Sequence, residues 1–147
     1  MRMVAQVGAR RALVDTSGYY ALTDPRDSNH RAAVAINTRL TDEHWRLYTT
    51  NLILAETHAL VLRRMGRATA WRVLTELDQS RATTIVRVSV ADEARARGIL
   101  AQYTDKQYSL TDATSFVVME RLGLTQAFTF DHNFTQHGLV VLQGTRP

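Results

Sequence analysis

Apolar positions in this chain of 147 residues come in short runs that alternate with stretches of helical spacing. Ala12-Leu-Val14 is a brief apolar run that closes on Asp15-Thr-Ser-Gly, a strand ending in the residues that start helices. A polar stretch, Thr23 to Asn29, precedes a helical pattern from His30 to Leu40 with Ala33, Ile36 and Leu40 on one side. Leu47-Tyr-Thr49 reads as a second strand, and Asn51 is placed to cap a helix over Leu52 to Arg64. Gly66 separates that helix from the next, Arg67 to Ser80. Thr83 to Val90 is rich in β-branched residues and predicts a third strand, followed by a helix over Ala91 to Gln102 and a polar connection, Tyr103 to Tyr108. A helix from Ser109 ends at Gly123, a fourth strand runs over Ala127 to Phe130, and a helical turn to His137 and Gly138 leads to a last strand, Leu139 to Leu142. Strands alternating with helices of this length imply βαβ units and a mainly parallel sheet, in which ligand sites form beyond the C-terminal ends of the strands.

Four acids stand out against this pattern. Asp15 and Asp131 each close a strand, and Asp112 shares the face of its helix with Phe116 and Met119, at i+4 and i+7. Glu56 falls on the apolar stripe of its helix with Ala59 and Leu60, away from Thr57 and His58. Taken singly, each acid has an ordinary explanation: Asp15 and Asp131 as helix caps, Asp112 in a capping box with Ser109, and Glu56 as the partner of an arginine. Taken together, all four belong to one edge of a parallel sheet and can converge on one crevice. Carboxylates ~5 Å apart repel by about 3 kcal/mol at an effective dielectric near 20, so such a cluster calls for a cation. Oxygen-only acidic clusters suit Mg²⁺ or Mn²⁺, which keep several waters and take up phosphate.

Composition narrows the chemistry. The absence of cysteine excludes disulfides, thiolate-bound zinc and thiol nucleophiles, and it fits a cytoplasmic protein. No run approaches the ~18 apolar residues of a membrane span, so no membrane association is expected. The 18 basic residues outnumber 14 acids, and all but Lys106 are arginines, whose planar fork suits phosphate. Arg63, Arg64, Arg67 and Arg72 cluster where two consecutive helices meet and are candidates for tracking a nucleic-acid backbone. Residues 1–11 read as a basic leader and 12–147 as a single domain.

Four segments in order, Leu-Val-Asp15-Thr-Ser, Asn51-Leu-Ile-Leu-Ala-Glu56-Thr, Ser109-Leu-Thr-Asp112-Ala-Thr-Ser-Phe with Met119-Glu-Arg-Leu-Gly123, and Ala127-Phe-Thr-Phe-Asp131-His-Asn-Phe134, resemble the PIN-domain ribonucleases, in particular the VapC-type toxins of toxin-antitoxin pairs. The resemblance implies an α/β fold, a three-layer α/β/α sandwich around a mainly parallel sheet. It implies that Asp15, Glu56, Asp112 and Asp131 form an acidic quartet around Mg²⁺ or Mn²⁺, with Thr16, Ser17 and Thr111 as hydrogen-bonding partners. An RNA substrate, a cognate antitoxin and a homodimer follow from the same resemblance. The leader is longer than in many such proteins, and Asp105 is an additional acid.

The implied chemistry is attack of an activated water on an RNA phosphodiester, for which carboxylates and metal suffice. The histidines lie scattered on helices and turns, without the spacing of a protein nucleophile and its base. His132, next to Asp131, is expected to be a solvent-exposed turn residue. Other readings are an RNA-processing PIN nuclease that is not a toxin, a binding module without catalysis, and an aspartyl phosphatase. The last would want a second acid two residues after Asp15, where the chain has Ser17. For control of such a nuclease, Leu62, Trp71, Val73, Leu74 and Leu77 on the two consecutive helices are candidates for a groove that an antitoxin segment fills.

Overall fold

The computed structural model describes residues 10–145. Most of the leader therefore lies outside the described residues. Strand β1 (Arg11–Val14) begins one residue before the expected boundary, and Arg11 is engaged at once. Its Nη2 donates to the carbonyl of Leu122 at 2.8 Å, and its guanidinium lies 5.3 Å from the Tyr48 ring centre.

Five parallel strands form one sheet in the order β3-β2-β1-β4-β5, with β2 (Arg46–Thr50), β3 (Thr83–Val86), β4 (Gln126–Phe128) and β5 (Val140–Val141). The central β1 thus pairs β2 on one side and the distant β4 on the other. Flanking the sheet are helices α1 (Thr16–Thr23), α2 (His30–Asp42), α3 (Asn51–Met65), α4 (Arg67–Gln79), α5 (Val90–Gln102), α6 (Leu110–Leu122) and α7 (His132–Gln136). This is the expected α/β architecture. The third strand stops short of its expected end, because Ser89 caps α5 in a capping box with Asp92.

Two close contacts fix where α1 and α6 sit. A Cβ at Gly18 would lie 2.7 Å from the Phe128 carbonyl oxygen, so only glycine lets α1 approach β4 this tightly. Gly123 ends α6 in the left-handed conformation, at φ 68°, as expected of a glycine after a helix. Helices α5 and α6 run antiparallel: Asp92 receives both Nε and Nη2 of Arg121, at 3.0 and 2.8 Å, while Ala96 packs with Ala113 and Val117. Burial of Asp92 pushes its pKa up, but the guanidinium and the Ser89 hydrogen bonds outweigh it and hold the carboxyl below the usual range.

Candidate active site

Asp15, Asp112 and Asp131 each perform the local capping role that their sequence context offers. Asp15 caps α1 and accepts from the Gly18 amide at 3.2 Å. Asp131 caps α7 and accepts from the Asn133 amide at 2.9 Å. Asp112 and Ser109 form a reciprocal capping box at the start of α6, with both bonds at 2.9 Å.

The same three acids are also joined to one another. Ser17 Oγ donates to Asp15 Oδ1 at 2.8 Å, accepts from the Phe130 amide at 2.8 Å and lies 3.2 Å from Thr129 Oγ1. Thr129 Oγ1 accepts from the Asp131 amide at 3.0 Å. Asn133 then closes the path, its amide bound to Asp131 Oδ1 and its Nδ2 donating to Asp112 Oδ2 at 3.1 Å. The path runs Asp15, Ser17, Thr129, Asp131, Asn133, Asp112, through elements that are remote in sequence but adjacent at the C-terminal edge of the sheet. In each carboxylate one oxygen takes these bonds, Oδ1 of Asp15 and Asp131 and Oδ2 of Asp112. The other carries no hydrogen bond among the described residues.

An aromatic block supports this arrangement from behind. Phe116 of α6 stacks on His137 at 4.2 Å and meets Phe134 of α7 edge-on at 5.1 Å, so the helices bearing Asp112 and Asp131 cannot drift apart independently. Burial lowers the pKa of His137, which keeps the stacked ring neutral.

Asp15 is the most enclosed of the three, only 6% exposed. Burial pushes its carboxyl up to about 6, against the hydrogen bonds of Ser17 and Gly18 and the nearby Thr129 hydroxyl, and the neighbouring Asp131 charge adds to the rise. No arginine or lysine pairs with Asp15, Asp112 or Asp131 among the described residues. The imidazole of His132, 78% exposed in its side chain as expected, is 3.9 Å from Asp131.

Other expected site residues are placed differently. Glu56 is exposed and makes no hydrogen bond or ion pair among the described residues, whereas Thr57, assigned to the polar side, is fully buried. The buried face of α3 is Ile53, Thr57 and Val61, so the stripe through Leu52 and Leu60 that placed Glu56 inward is only its margin. Thr16 is buried, but its hydroxyl has no hydrogen-bond partner among the described residues. Thr111 contributes its backbone carbonyl to Thr114 and Ser115, and no hydrogen bond to a carboxylate. The cap of α3 is Thr50, while the Asn51 side chain accepts instead from the Val88 amide at 2.8 Å and ties the β3–α5 link to α3. Sequence reasoning gave no role to Thr129 or Asn133. The signal for both was a polar residue two positions either side of a strand-ending aspartate.

The carboxylates suit a hard divalent cation in donor type and in uncompensated charge. Among the described residues no three acidic or histidine side chains are already gathered into a ligand cage. Mg²⁺ needs only one or two carboxylates beside its waters, so the residues fit such an ion.

The sequence pattern of the PIN domain matches residues 12–138. The chain belongs to the PIN domain family. Its relatives include the 23S rRNA-specific endonuclease VapC20 of Mycobacterium tuberculosis strain H37Rv, 35% identical over 130 residues that span 86% of this PIN-domain chain and 94% of that protein. A VapC ribonuclease of Archaeoglobus fulgidus is 32% identical over 126 residues, 84% of this chain and 79% of that one. Among solved structures, that of M. tuberculosis VapC20, a Sarcin-Ricin loop cleaving toxin, superposes with a TM-score of 0.81 at 31% identity, covering 90% of this chain and 98% of that one. The FitAcB structure from Neisseria gonorrhoeae shares the fold alone, at 19% identity and a TM-score of 0.64, covering 90% of this chain and 97% of that one.

Proposed function

We propose that this protein is a divalent-metal-dependent endoribonuclease, the toxin of a toxin-antitoxin pair of the VapC kind. The observation that carries the reading is the convergence of Asp15, Asp112 and Asp131, linked by one path of hydrogen bonds and matched by no basic side chain among the described residues. These three would hold Mg²⁺ or Mn²⁺, and Glu56 joins them on the family resemblance alone. Bound there, the cation supplies a water made acidic enough to attack and a positive charge for the phosphodiester oxygens.

The protein's own part is placement. Ser17 and Gly18 hold one oxygen of Asp15 and leave the other for a ligand, and Asn133 does the same for Asp112 while fixing it to the Asp131 turn. Backbone binding falls to arginines at the α3–α4 junction. Arg63 and Arg67 are exposed and carry no ion pair among the described residues, whereas Arg64 lies 5.1 Å over the Tyr20 ring and Arg72 is 4.0 Å from Glu76. No helix among the described residues is long and apolar enough to cross a membrane, and the substrate class is RNA, as for VapC20.

Control by an antitoxin fits the apolar surface of α3 and α4. Trp71 is 68% exposed and Leu62 lies exposed beside the same junction, while Val73 and Leu77 of the expected groove belong to the core. The resemblance also carries homodimerisation, which light scattering tests directly. The deciding experiment is cleavage of labelled RNA with Mg²⁺, with Mn²⁺ and with EDTA. Asp15→Asn and Asp112→Asn should each lose at least about a hundredfold in rate while remaining folded, and retained activity in both would overturn the assignment.

A further inference from the structure

A second feature opens beside the carboxylates, and neither the fold nor the acid cluster needs it. The turn at residues 105–107 and helix α7 enclose a cleft of about 390 Å³, lined on one side by Asp105, Lys106 and Gln107 and on the other by Asp131, His132, Asn133 and Gln136. Asp131 belongs both to the acid cluster and to this cleft, so whatever occupies the cleft lies next to the reacting bond. We infer that the cleft seats the base of a nucleotide flanking the scissile phosphate, and so selects which sequence is cut. The inference rests on the ribonuclease reading above.

The charge of the cleft argues for a base instead of a phosphate. The only lysine of the chain, Lys106, is 3.3 Å from Asp105, which offsets its charge, so the 105–107 side of the cleft gives a phosphate no net positive charge. Asp131 apart, the remaining wall is neutral and has the donors and acceptors that base edges need. Gln107 and Gln136 are exposed side-chain amides, the groups that pair bidentately with base edges, and the exposed imidazole of His132 offers a flat face for stacking. Asn133 is committed to Asp112 and forms the rigid floor. The pairing of Asp105 with Lys106 also gives a place to the additional acid noted in the sequence: it offsets the cation that would otherwise draw the backbone into the cleft.

The test uses RNA oligonucleotides differing only at the nucleotides either side of the cut. Gln107→Ala and Gln136→Ala should each reduce the ratio of kcat/KM between the best and worst base at one of these positions by roughly tenfold, with unchanged melting temperature. In EDTA, where no cleavage occurs, RNA carrying 4-thiouridine at that position should cross-link to the 105–107 turn or to α7 of the parent protein. An unchanged ratio in both variants, or cross-links confined to other segments, would overturn the inference while leaving the nuclease reading intact. A Lys106→Ala variant with full base preference but a salt slope reduced by about one would show a backbone contact and overturn it equally. Cross-linking at the cleft by a parent that cuts no RNA with any metal would instead keep the base seat and remove the nuclease reading.

Discussion

Asn133 donates through Nδ2 to Asp112 Oδ2 at 3.1 Å, and its backbone amide holds Asp131 Oδ1 at 2.9 Å, so one residue sets the spacing of two acids from different helices. Asn133→Ala keeps the backbone bond and removes the side-chain one. Cleavage should fall about tenfold or more, with RNA binding little changed. Asn133→Asp is the sharper variant. A second carboxylate against Asp112 raises the pKa of that pair, so the rising limb of the pH–rate profile should move to higher pH, and an unmoved profile would show that the contact does not govern the site.

Asp15 ties stability to pH in the metal-free protein. Its folded pKa, raised by burial from 3.8 to about 6, exceeds the unfolded value, so the folded state binds the proton more tightly. Its contribution is therefore favourable below the unfolded value and is lost as pH rises through about 6. In EDTA at pH 8, Asp15→Asn should be more stable than the parent by up to about 3 kcal/mol, several degrees in Tm, and the gap should close near pH 4. Mg²⁺ should stabilise the parent more than the variant. Calorimetry across this range checks the sign, and a gap that widens on acidification would refute it.

Glu56 separates a ligand role from a structural one cleanly. Because it is exposed and has no hydrogen bond or ion pair among the described residues, Glu56→Gln should leave the melting temperature unchanged to within about 0.5 kcal/mol. A loss of cleavage would then come from the reaction alone. Full activity in the variant would remove Glu56 from the proposed quartet and leave three acids.

Trp71 offers the corresponding separation for control. It is 68% exposed, so Trp71→Ala should cost under about 1 kcal/mol in stability and leave cleavage intact. Affinity for the proposed cognate antitoxin should drop at least tenfold, since an exposed tryptophan is a frequent anchor of interfaces. Equal inhibition of variant and parent, measured by titration in the cleavage assay, would place the interface elsewhere.

The sheet-edge placement of three of the four acids was legible in the sequence because the features that marked them are local. A strand that ends on Asp15 or Asp131 puts that acid at the sheet edge whatever the rest of the chain does, and the capping box of Ser109 and Asp112 fixes the start of α6. The outward direction of Glu56 was not legible, for a different reason. A helix of fifteen residues with apolar side chains on more than one side has no unique inward direction, and packing chose the face of Ile53, Thr57 and Val61. Thr129 and Asn133 stayed hidden because their partners lie on other elements: Thr129 meets Ser17 across 112 positions, and Asn133 meets Asp112 across 21.

The placement of β1 between β2 and β4 has a consequence during synthesis. The strand and turn that bring Asp131 beside Asp15 are made more than a hundred residues after it. At roughly 5–20 residues per second, on the order of ten seconds pass with β1 translated and its β4 neighbour absent. Until β4 has been made, a growing chain therefore carries no assembled acid centre, and the RNA-rich machinery producing it is spared through that interval.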